Sequence, residues 1–328
     1  MKEQDLNVFR QLLKCDDVMI VVHRNPDGDA LGSAFALLHL LKQRGKRAWV
    51  VSHDRIDRNL RFLAEGEEEL LSSSLPGTIV SVDVATRELF GSSLSYYADF
   101  VDYNIDHHYT NPEYAKYNIV YPDYSSTGEV LFGLIDGCGI ALDRYLAEHL
   151  YGAISFDTGC FRYSNTTAQT HRVAARLLEC GINASEINRK LFDIVSLTQL
   201  KMENEALHAV KQYHNGHITL LAISQQMLRD CGATEEDVAG MVSMIRRIEG
   251  TIVGATLKEM PDGNVRVSLR ACDDLFDVSA VAAIFGGGGH VKAAGCLMKC
   301  SLKDAEKNLL SAIEAQWRET YAPDHVFE

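Results

Sequence analysis

The sequence lacks any long uninterrupted hydrophobic run. Its longest apolar segments are broken by His, Lys or Gly within about ten positions, short of the roughly 18 residues that suggest a membrane-spanning helix. The first residues, MKEQDLNVFRQLL, carry acidic and polar groups where a signal peptide needs a basic start and an apolar run. We therefore expect a cytoplasmic protein with no membrane role.

Positive charge is also scarce. The chain has 32 Lys and Arg against 45 Asp and Glu, a net charge of −13, and the parts on either side of Gln212 are both acidic. Nonspecific binding of nucleic acid relies on many basic residues that neutralise phosphates, so a long duplex is excluded as a partner. Any nucleic-acid substrate should be short. A homodimer is compatible with the sequence.

The eight cysteines show no pairing pattern. They are scattered along the chain, and Cys296 and Cys300 have the wrong spacing for a zinc knuckle. We expect reduced thiols, as in a reducing compartment.

What the chain does contain is two successive series of strand and helix patterns. Its 328 residues, 46% of them hydrophobic, suffice for two domains. In the first series, short β-branched runs alternate with helical patterns, which predicts a largely parallel α/β sheet. The predicted strands are 18–23, 48–52, 78–83 and 100–106, and the pattern from Ser126 to about Asp193 is mostly helical.

A polar amphipathic helix is predicted over 197–213, and the strand pattern then restarts. We expect a first domain over 1–193, a helical linker over 194–214 and a smaller α/β domain over 215–328. The elements predicted for this last domain are a strand at 217–224, a helix at 235–249, a hairpin around 261–263, a helix ending at Phe285, a strand at 295–300 and a final helix at 302–317.

The segment HRNPDGDALGS, residues 23–33, follows the first predicted strand and begins the first long helix. Open α/β sheets bind ligands at such carboxyl strand ends. His23, Asp27 and Asp29 would supply hard ligands there for Mn²⁺ or Mg²⁺. The alternative is an ordinary turn in which Asp29 caps the helix.

Further acidic and imidazole side chains follow other predicted elements. Asp83 ends the strand TIVSV, Asp106-His107-His108 ends FVDYNI, and Asp157 follows an apolar helix. A lone Asp in such a place is most often a turn or cap residue, but the Asp-His-His run indicates metal binding.

Four successive glycines, Gly286, Gly287, Gly288 and Gly289, precede His290. Glycine backbone can approach an anion closely and adopts positive φ, so this run predicts a phosphate-binding segment. The alternative, a flexible linker, is disfavoured by the helix and strand patterns on either side.

The ordered set HRNPDGDALGS, VD, DHH, DTG and GGGGHVKAAG resembles the DHH phosphoesterase superfamily, and within it the branch of oligoribonuclease/pAp phosphatases, or nano-RNases. The resemblance covers nearly the whole chain. It implies a metal-binding domain, a substrate-binding domain and an active site in the cleft between them. It also implies two Mn²⁺ ions, with Mg²⁺ as the alternative.

The resemblance assigns roles to individual residues. It implies one ion held by His23, Asp27 and Asp83, and a second held by Asp29, Asp83, His107 and Asp157. It further implies that Asp106 orients a neighbouring imidazole, that His108 faces the substrate phosphate, and that Arg270 and His290 neutralise phosphoryl oxygens. Where the family often has Ser-Leu-Arg-Ser, this chain has Ser268-Leu269-Arg270-Ala271, which puts a secondary polar contact in doubt.

The expected activity is hydrolysis of short RNA fragments and of 3′-phosphoadenosine 5′-phosphate (pAp). Arg162 and its neighbours in 161–167 are candidates for contacting a base or ribose, with simple packing as the alternative. The first competing hypothesis is a phosphodiesterase for linear or cyclic dinucleotides, such as pApA or cyclic-di-AMP. A pyrophosphatase and a non-catalytic nucleotide-binding regulator are less consistent with these motifs.

Overall fold

The structure is a computed structural model that describes residues 1–65, 75–238 and 240–321. The chain forms two compact units, Met1–Ile194 and Val195–Glu328. Each contains one sheet with packed helices, and the first sheet is entirely parallel, which confirms the expected α/β class. No helix in the described ranges is long and apolar enough to cross a membrane. The expected cleft between the units stays a prediction.

The sheet of the first unit has the strand order β2-β1-β3-β4-β5. Its strands are β1 (Val18–Val21), β2 (Ala48–Val51), β3 (Thr78–Val82), β4 (Tyr103–Asp106) and β5 (Tyr117–Val120). All residues of β1 and β3 are buried, as expected for parallel strands covered on both faces. The sequence did not predict β5, because this edge strand is mostly half-exposed and has no continuous apolar run.

The helices of the first unit are α1 (Glu3–Leu12), α2 (Gly28–Gln43), α3 (Thr127–Gly137), α4 (Arg144–Asp157), α5 (Ala168–Glu179) and α6 (Ala184–Asn188). Almost every residue of α2 is buried, since this helix packs closely against α4. Gly32 makes the approach possible: a Cβ there would lie 2.6 Å from the backbone oxygen of His149. The close packing brings the start of α2 near the end of α4.

The second unit contains a mixed sheet in the order β10-β11-β9-β8-β7-β6. Its strands are β6 (Val210–Tyr213), β7 (Ile218–Ile223), β8 (Val253–Glu259), β9 (Val265–Ala271), β10 (Gly288–His290) and β11 (Ala293–Met298). Its helices are α7 (Leu197–Ala209), α8 (Gln225–Cys231), α9 (Glu235–Val238), α10 (Met241–Ile245), α11 (Val278–Ile284) and α12 (Leu302–Thr320). The predicted hairpin around 261–263 is the antiparallel pair β8 and β9.

Two predicted helices differ from the structure. The helix expected over 197–213 ends at Ala209, because the next four residues form β6 and pair with β7. Met202 and Ala206 of α7 are buried within the second unit, so the segment predicted as a linker packs there. The single helix expected over 235–249 is instead the two short helices α9 and α10; Ala239 between them lies outside the described residues.

Candidate active site

Three strand ends place polar side chains together. Asp83 directly follows β3, Asp106 ends β4 and is followed by His107 and His108, and His23 comes two residues after β1. Because β1, β3 and β4 are adjacent and parallel, their carboxyl ends meet at one edge of the sheet.

Two helices add the remaining carboxylates. Asp27 is the N-cap of α2, and its Oδ1 accepts hydrogen bonds from the backbone N–H groups of Asp29 and Ala30, each at 3.0 Å. Asp29 lies in the first turn of α2, and Asp157 is the last residue of α4. The structure therefore brings together all six residues that the sequence analysis assigned to metal binding.

Nitrogen and oxygen atoms form two ligand sets around Asp83. In the first, His23 Nε2 lies 3.8 Å from Asp27 Oδ1 and 3.6 Å from Asp83 Oδ2. In the second, His107 Nε2 lies 3.8 Å from Asp83 Oδ1, 3.8 Å from Asp29 Oδ2 and 3.5 Å from Asp157 Oδ2. The two carboxylate oxygens of Asp83 thus face different sets.

These distances suit metal coordination. Ligand atoms about 2.1 Å from an ion and at right angles to one another lie about 3 Å apart, so a contraction of under an ångström would suffice. Imidazole nitrogen with several carboxylate oxygens is a donor set for Mn²⁺, Mg²⁺ or a similar divalent ion. Each set, His23-Asp27-Asp83 and Asp29-His107-Asp157, groups within 4.8 Å, and Asp83, His107 and His108 form a third group.

Backbone and carboxylate acceptors orient the imidazole rings. His23 Nδ1 lies 2.8 Å from the carbonyl oxygen of Arg24, and His107 Nδ1 lies 3.3 Å from that of Tyr124. When these Nδ1 atoms carry the proton and donate it, Nε2 is left as the metal ligand.

Asp106 is fully buried and acts on its neighbours. Its Oδ1 accepts hydrogen bonds from the backbone N–H of His107 at 2.8 Å and from His108 Nδ1 at 2.7 Å. Its Oδ2 accepts a bond from Asn111 Nδ2 at 2.5 Å. Asp106 therefore fixes the ring of His108, whose side chain is 41% exposed. Asn111 was not identified from the sequence.

The crowded carboxylates shift the proton affinities of the site. Burial lowers the pKa of His23, but its contacts with Asp27 and Asp83 outweigh this and raise it to about 11. Burial and the charges of Asp83, Asp157 and Asp27 hold the pKa of Asp29 well above its usual range. Burial, with Asp83 and Asp27, raises the pKa of Asp157 to about 6 despite the opposing effect of His107. The site favours bound positive charge, as a metal centre requires.

The amino end of α3 holds two of these carboxylates. Thr127 and Gly128 donate their backbone N–H groups to Asp29 at 2.7 and 2.9 Å, and the Thr127 hydroxyl donates to Asp83 Oδ1 at 2.8 Å. Asp83 has a left-handed φ of 59°, so the residue is held in a conformation that is unusual outside glycine. Thr127 was not identified from the sequence as a contact of the metal site, since Ser and Thr at the start of a helix usually serve only in capping.

The predicted phosphate-binding glycines belong partly to a strand. Gly288 to His290 form β10, which pairs with β11. A Cβ at Gly287 would lie 2.2 Å from the Gly295 oxygen, and one at Gly289 would lie 2.5 Å from the Ala293 oxygen. Two of the glycines are therefore explained by close strand packing, whereas Gly288 has open space around it.

The other predicted substrate-binding residues lie on separate elements. Arg270 is half-buried on β9, and its Nη1 donates to the Leu269 oxygen at 2.9 Å. Ala271 points to the opposite face of β9 into the hydrophobic core, so it occupies no polar site. Arg162 is exposed, and its Nε donates to the Gly159 oxygen at 2.6 Å in the loop after Asp157.

Comparison with known proteins gives consistent matches along the chain. A model described as the DHH family, N-terminal domain, matches residues 17–154, and the DHHA1 domain matches residues 220–319. The chain is 33% identical to the bifunctional oligoribonuclease and PAP phosphatase NrnA of Thermus thermophilus, covering 95% of this chain and 94% of that protein. The enzyme of the same name from Bacillus subtilis is 26% identical, with coverages of 88% and 91%.

The chain is also similar to a more distant relative and to two solved structures. The cyclic-di-AMP phosphodiesterase PdeA of Listeria monocytogenes is 23% identical and matches 94% of this chain, but only 49% of its own length. An exopolyphosphatase-related protein from Bacteroides fragilis shares the fold with a TM-score of 0.88, at 24% identity and 97% coverage of both chains. The exonuclease RecJ bound to manganese has a TM-score of 0.55 at 12% identity, with coverages of 98% and 96%.

Proposed function

The chain belongs to the DHH family of phosphoesterases, and from this premise we propose that it hydrolyses short oligoribonucleotides and pAp, releasing mononucleotides or AMP and phosphate. The observation that carries the proposal is the position of Asp83 between two ligand sets, one oxygen facing each. A shared carboxylate between two such sets is typical of two-metal phosphoester hydrolysis. The relatives named as oligoribonuclease and PAP phosphatase support the substrates.

We propose Mn²⁺ as the cofactor, with Mg²⁺ as the alternative. His23, Asp27 and Asp83 would hold one ion, and Asp29, Asp83, His107 and Asp157 the other. When bound, such a pair supplies a water of lowered pKa and polarises the phosphoryl group.

Residues of the chain itself complete the proposed mechanism. Burial lowers the pKa of His108, but its bond to Asp106 and the nearby carboxylates outweigh this and raise it to about 9. At neutral pH the ring can therefore donate a hydrogen bond to the phosphate, or a proton to the leaving oxygen. Arg270, His290 and the backbone of Gly287, Gly288 and Gly289 would bind phosphoryl oxygens. Arg162 would contact the ribose or base.

A second candidate function is hydrolysis of linear or cyclic dinucleotides. The match of 94% of this chain to the cyclic-di-AMP phosphodiesterase favours it, although that relative is twice as long. The same metal centre would serve either reaction, so the substrate distinguishes the two candidates.

A parallel assay tests the proposal. The purified protein would be supplied with Mn²⁺ and given pAp, pApA, cyclic-di-AMP and single-stranded RNA, and product release would be followed by chromatography. We expect pAp and RNA of about two to five nucleotides to be turned over fastest. Each further nucleotide adds a phosphate charge, and this acidic protein has few basic residues to neutralise it. Faster turnover of cyclic-di-AMP than of pAp would favour the second candidate. No hydrolysis of any substrate, with either Mn²⁺ or Mg²⁺, would contradict both.

A further inference from the structure

One face of the first sheet carries a buried polar pair beside an apolar cluster. Ser81 on β3 and Asn104 on β4 are paired in register, so their side chains point to the same face. Both residues are fully buried. On β1, β2 and β3 the other residues of this face form an apolar cluster: Met19, Val21, Trp49, Val51 and Ile79. Buried polar side chains lower stability unless they are hydrogen-bonded, so this pair indicates a role beyond packing.

The side chains of the pair are hydrogen-bonded at both ends. Asn104 Nδ2 donates to Ser81 Oγ at 2.9 Å. The hydroxyl of Tyr114 lies 2.9 Å from Ser81 Oγ and donates to the carbonyl oxygen of Val84 at 3.0 Å. At the other end, Asn104 Oδ1 accepts from Asn111 Nδ2 at 2.7 Å. The buried pair is thus connected to the loop that follows His108.

Asn111 joins this pair to Asp106. The two acceptors of its Nδ2 are Asn104 Oδ1 at 2.7 Å and Asp106 Oδ2 at 2.5 Å, so both of its side-chain hydrogens are used. Asn111 Oδ1 accepts from the backbone N–H of Glu113 at 2.8 Å. Because a carboxylate only accepts hydrogen bonds, Asp106 fixes the orientation of the Asn111 amide, and Asn111 in turn fixes that of Asn104.

The second oxygen of Asp106 holds an imidazole ring. Asp106 Oδ1 accepts from His108 Nδ1 at 2.7 Å. With Oδ2 bonded to Asn111, the carboxylate plane cannot rotate freely, so Oδ1 stays in line with the ring of His108. The backbone N–H of Asn111 also donates to the His108 carbonyl oxygen at 3.2 Å, which closes the turn between them. A misplacement of about 1 Å in a reacting group can lower a rate by about 100-fold.

We infer that Asn111, supported by Asn104, is a positioning residue that holds the Asp106 carboxylate and thereby keeps His108 in one orientation toward the substrate phosphate. This inference rests on the proposed function, since it connects both asparagines to the reaction through His108. In the part of the chain that the structure describes, neither asparagine side chain hydrogen-bonds to one of the six proposed metal ligands. The inferred role is therefore separate from metal binding.

Asn111→Ala removes both side-chain N–H donors, and Asn118→Ala is the matched control. Asn118 holds the same loop: its Nδ2 donates to the carbonyl oxygens of Glu113 and Ala115 at 3.1 and 2.7 Å, and its Oδ1 accepts from the Ala115 N–H at 3.0 Å. None of these bonds reaches Asp106. A loss caused only by a loosened loop should appear in both variants.

Asn104→Leu is a second variant, which carries the same comparisons if Asn111→Ala does not fold. Leucine suits the apolar cluster on this face, and it removes one acceptor of the Asn111 amide. Thermal melts check the fold of each variant.

The kinetic test uses pAp and Mn²⁺. Asn111→Ala should lower kcat/KM by about 10- to 100-fold, and Asn104→Leu should lower it by a smaller factor. Asn118→Ala should stay within about twofold of the wild-type value, and Mn²⁺ affinity measured by calorimetry should stay within about threefold in all three variants. In a His108→Ala background, Asn111→Ala should cause no further loss, because its effect passes through His108.

NMR spectra of the metal-free protein test the positioning without turnover. The His108 Nδ1–H proton, assigned by its absence in His108→Ala, should exchange slowly with solvent because it is bonded to Asp106. This signal should be lost or broadened in Asn111→Ala and kept in Asn118→Ala.

Several outcomes would overturn the inference. They are additive losses in the double variant, an equal loss with Asn118→Ala, a fall in Mn²⁺ affinity that matches the fall in activity, or an unchanged His108 signal in Asn111→Ala. Failure of the proposed function is a separate result: wild-type protein that hydrolyses neither pAp nor short RNA would reject the activity. The NMR comparison between the variants would still decide the role of Asn111.

Discussion

The hydroxyl group of Thr127 donates to the same Asp83 oxygen that faces His107. Because Asp83 Oδ1 accepts this hydrogen bond with one lone pair, its other lone pair remains for an ion. The Thr127 hydroxyl thus fixes the orientation of the carboxylate toward the metal site. Thr127 is fully buried, which leaves little freedom for either side chain. Groups that orient a metal ligand by a hydrogen bond commonly contribute strongly to metal affinity.

Thr127→Val should therefore weaken Mn²⁺ binding by about 10- to 100-fold while the protein stays folded. Valine keeps the shape of threonine but has no hydroxyl group. Thr127→Ser keeps the hydroxyl and should bind Mn²⁺ nearly as the wild-type protein does. Calorimetric titration with Mn²⁺ measures the difference, and thermal melts check the fold.

The control for general loss of a buried hydroxyl is Thr219→Val. Thr219 lies in the second unit, where its hydroxyl is 2.8 Å from that of Thr251. This variant should lose stability without losing Mn²⁺ affinity. Equal Mn²⁺ affinity in Thr127→Val and the wild-type protein would show that the hydroxyl is only a packing feature.

Asp157 couples the metal site to stability. Its pKa of about 6 in the folded protein, raised by burial and by Asp83 and Asp27, exceeds the ordinary value of 3.8. A carboxyl group with a raised folded pKa stabilises the fold fully below its unfolded pKa, and that contribution is lost as pH rises through the folded pKa. Without bound metal, the ionised Asp157 should cost about 1 to 3 kcal/mol above pH 6.

Asp157→Asn should thus raise the Tm of metal-free protein at pH 8 and leave it unchanged near pH 4, where the wild-type carboxyl is also neutral. With Mn²⁺ present the order should reverse, because the wild-type protein gains more from ligand binding. Melts in EDTA from pH 4 to pH 8 measure the first effect. Asp102→Asn serves as a control, since Asp102 accepts from Ile79 N–H near the amino ends of β3 and β4. A gain of the same size in the control would mean that reduced net charge alone is responsible.

At the scale of elements, the sequence was most informative where strands end. Apolar runs followed by Asp83 or by Asp106 predicted both the strands and the shared edge, because the chain order of a parallel sheet brings carboxyl ends together. The sequence was less informative about β5 and β6, whose half-exposed residues give no apolar run. It also could not reveal the contact between Thr127 and Asp83, since this depends on packing between distant segments.

The β10–β11 hairpin shows that neighbouring glycines can serve different purposes. Gly289 has a φ of 149°, and a Cβ there would lie 2.6 Å from Ala294 Cα, whereas a Cβ at Gly288 would meet nothing within 4 Å. Gly289→Ala should therefore destabilise the protein by about 1 to 3 kcal/mol, through overpacking and an unfavourable φ.

Gly288→Ala should leave stability nearly unchanged but raise the KM for pAp, because a methyl group would block close approach of a phosphate to the backbone. Urea unfolding and steady-state kinetics measured on both variants separate the two effects. If Gly288→Ala has neither effect, the backbone at this position does not bind phosphate.

At the scale of the whole molecule, charge limits what can bind. The chain has a net charge of −13, with 32 Lys and Arg against 45 Asp and Glu. So few basic residues can neutralise only the phosphates of a very short oligonucleotide. A longer chain would bring further phosphates without adding organised Lys or Arg contacts.

Catalytic efficiency should consequently fall as single-stranded RNA grows from about two to about ten nucleotides, and duplex RNA should be nearly inert. The measurement is kcat/KM against length at fixed Mn²⁺ and fixed salt, repeated at a second salt concentration. Few phosphate contacts also predict a shallow dependence of KM on salt, because each neutralised phosphate adds roughly one unit to the slope. A flat or rising length profile with a steep salt dependence would instead indicate an extended binding track, as a processive exonuclease requires.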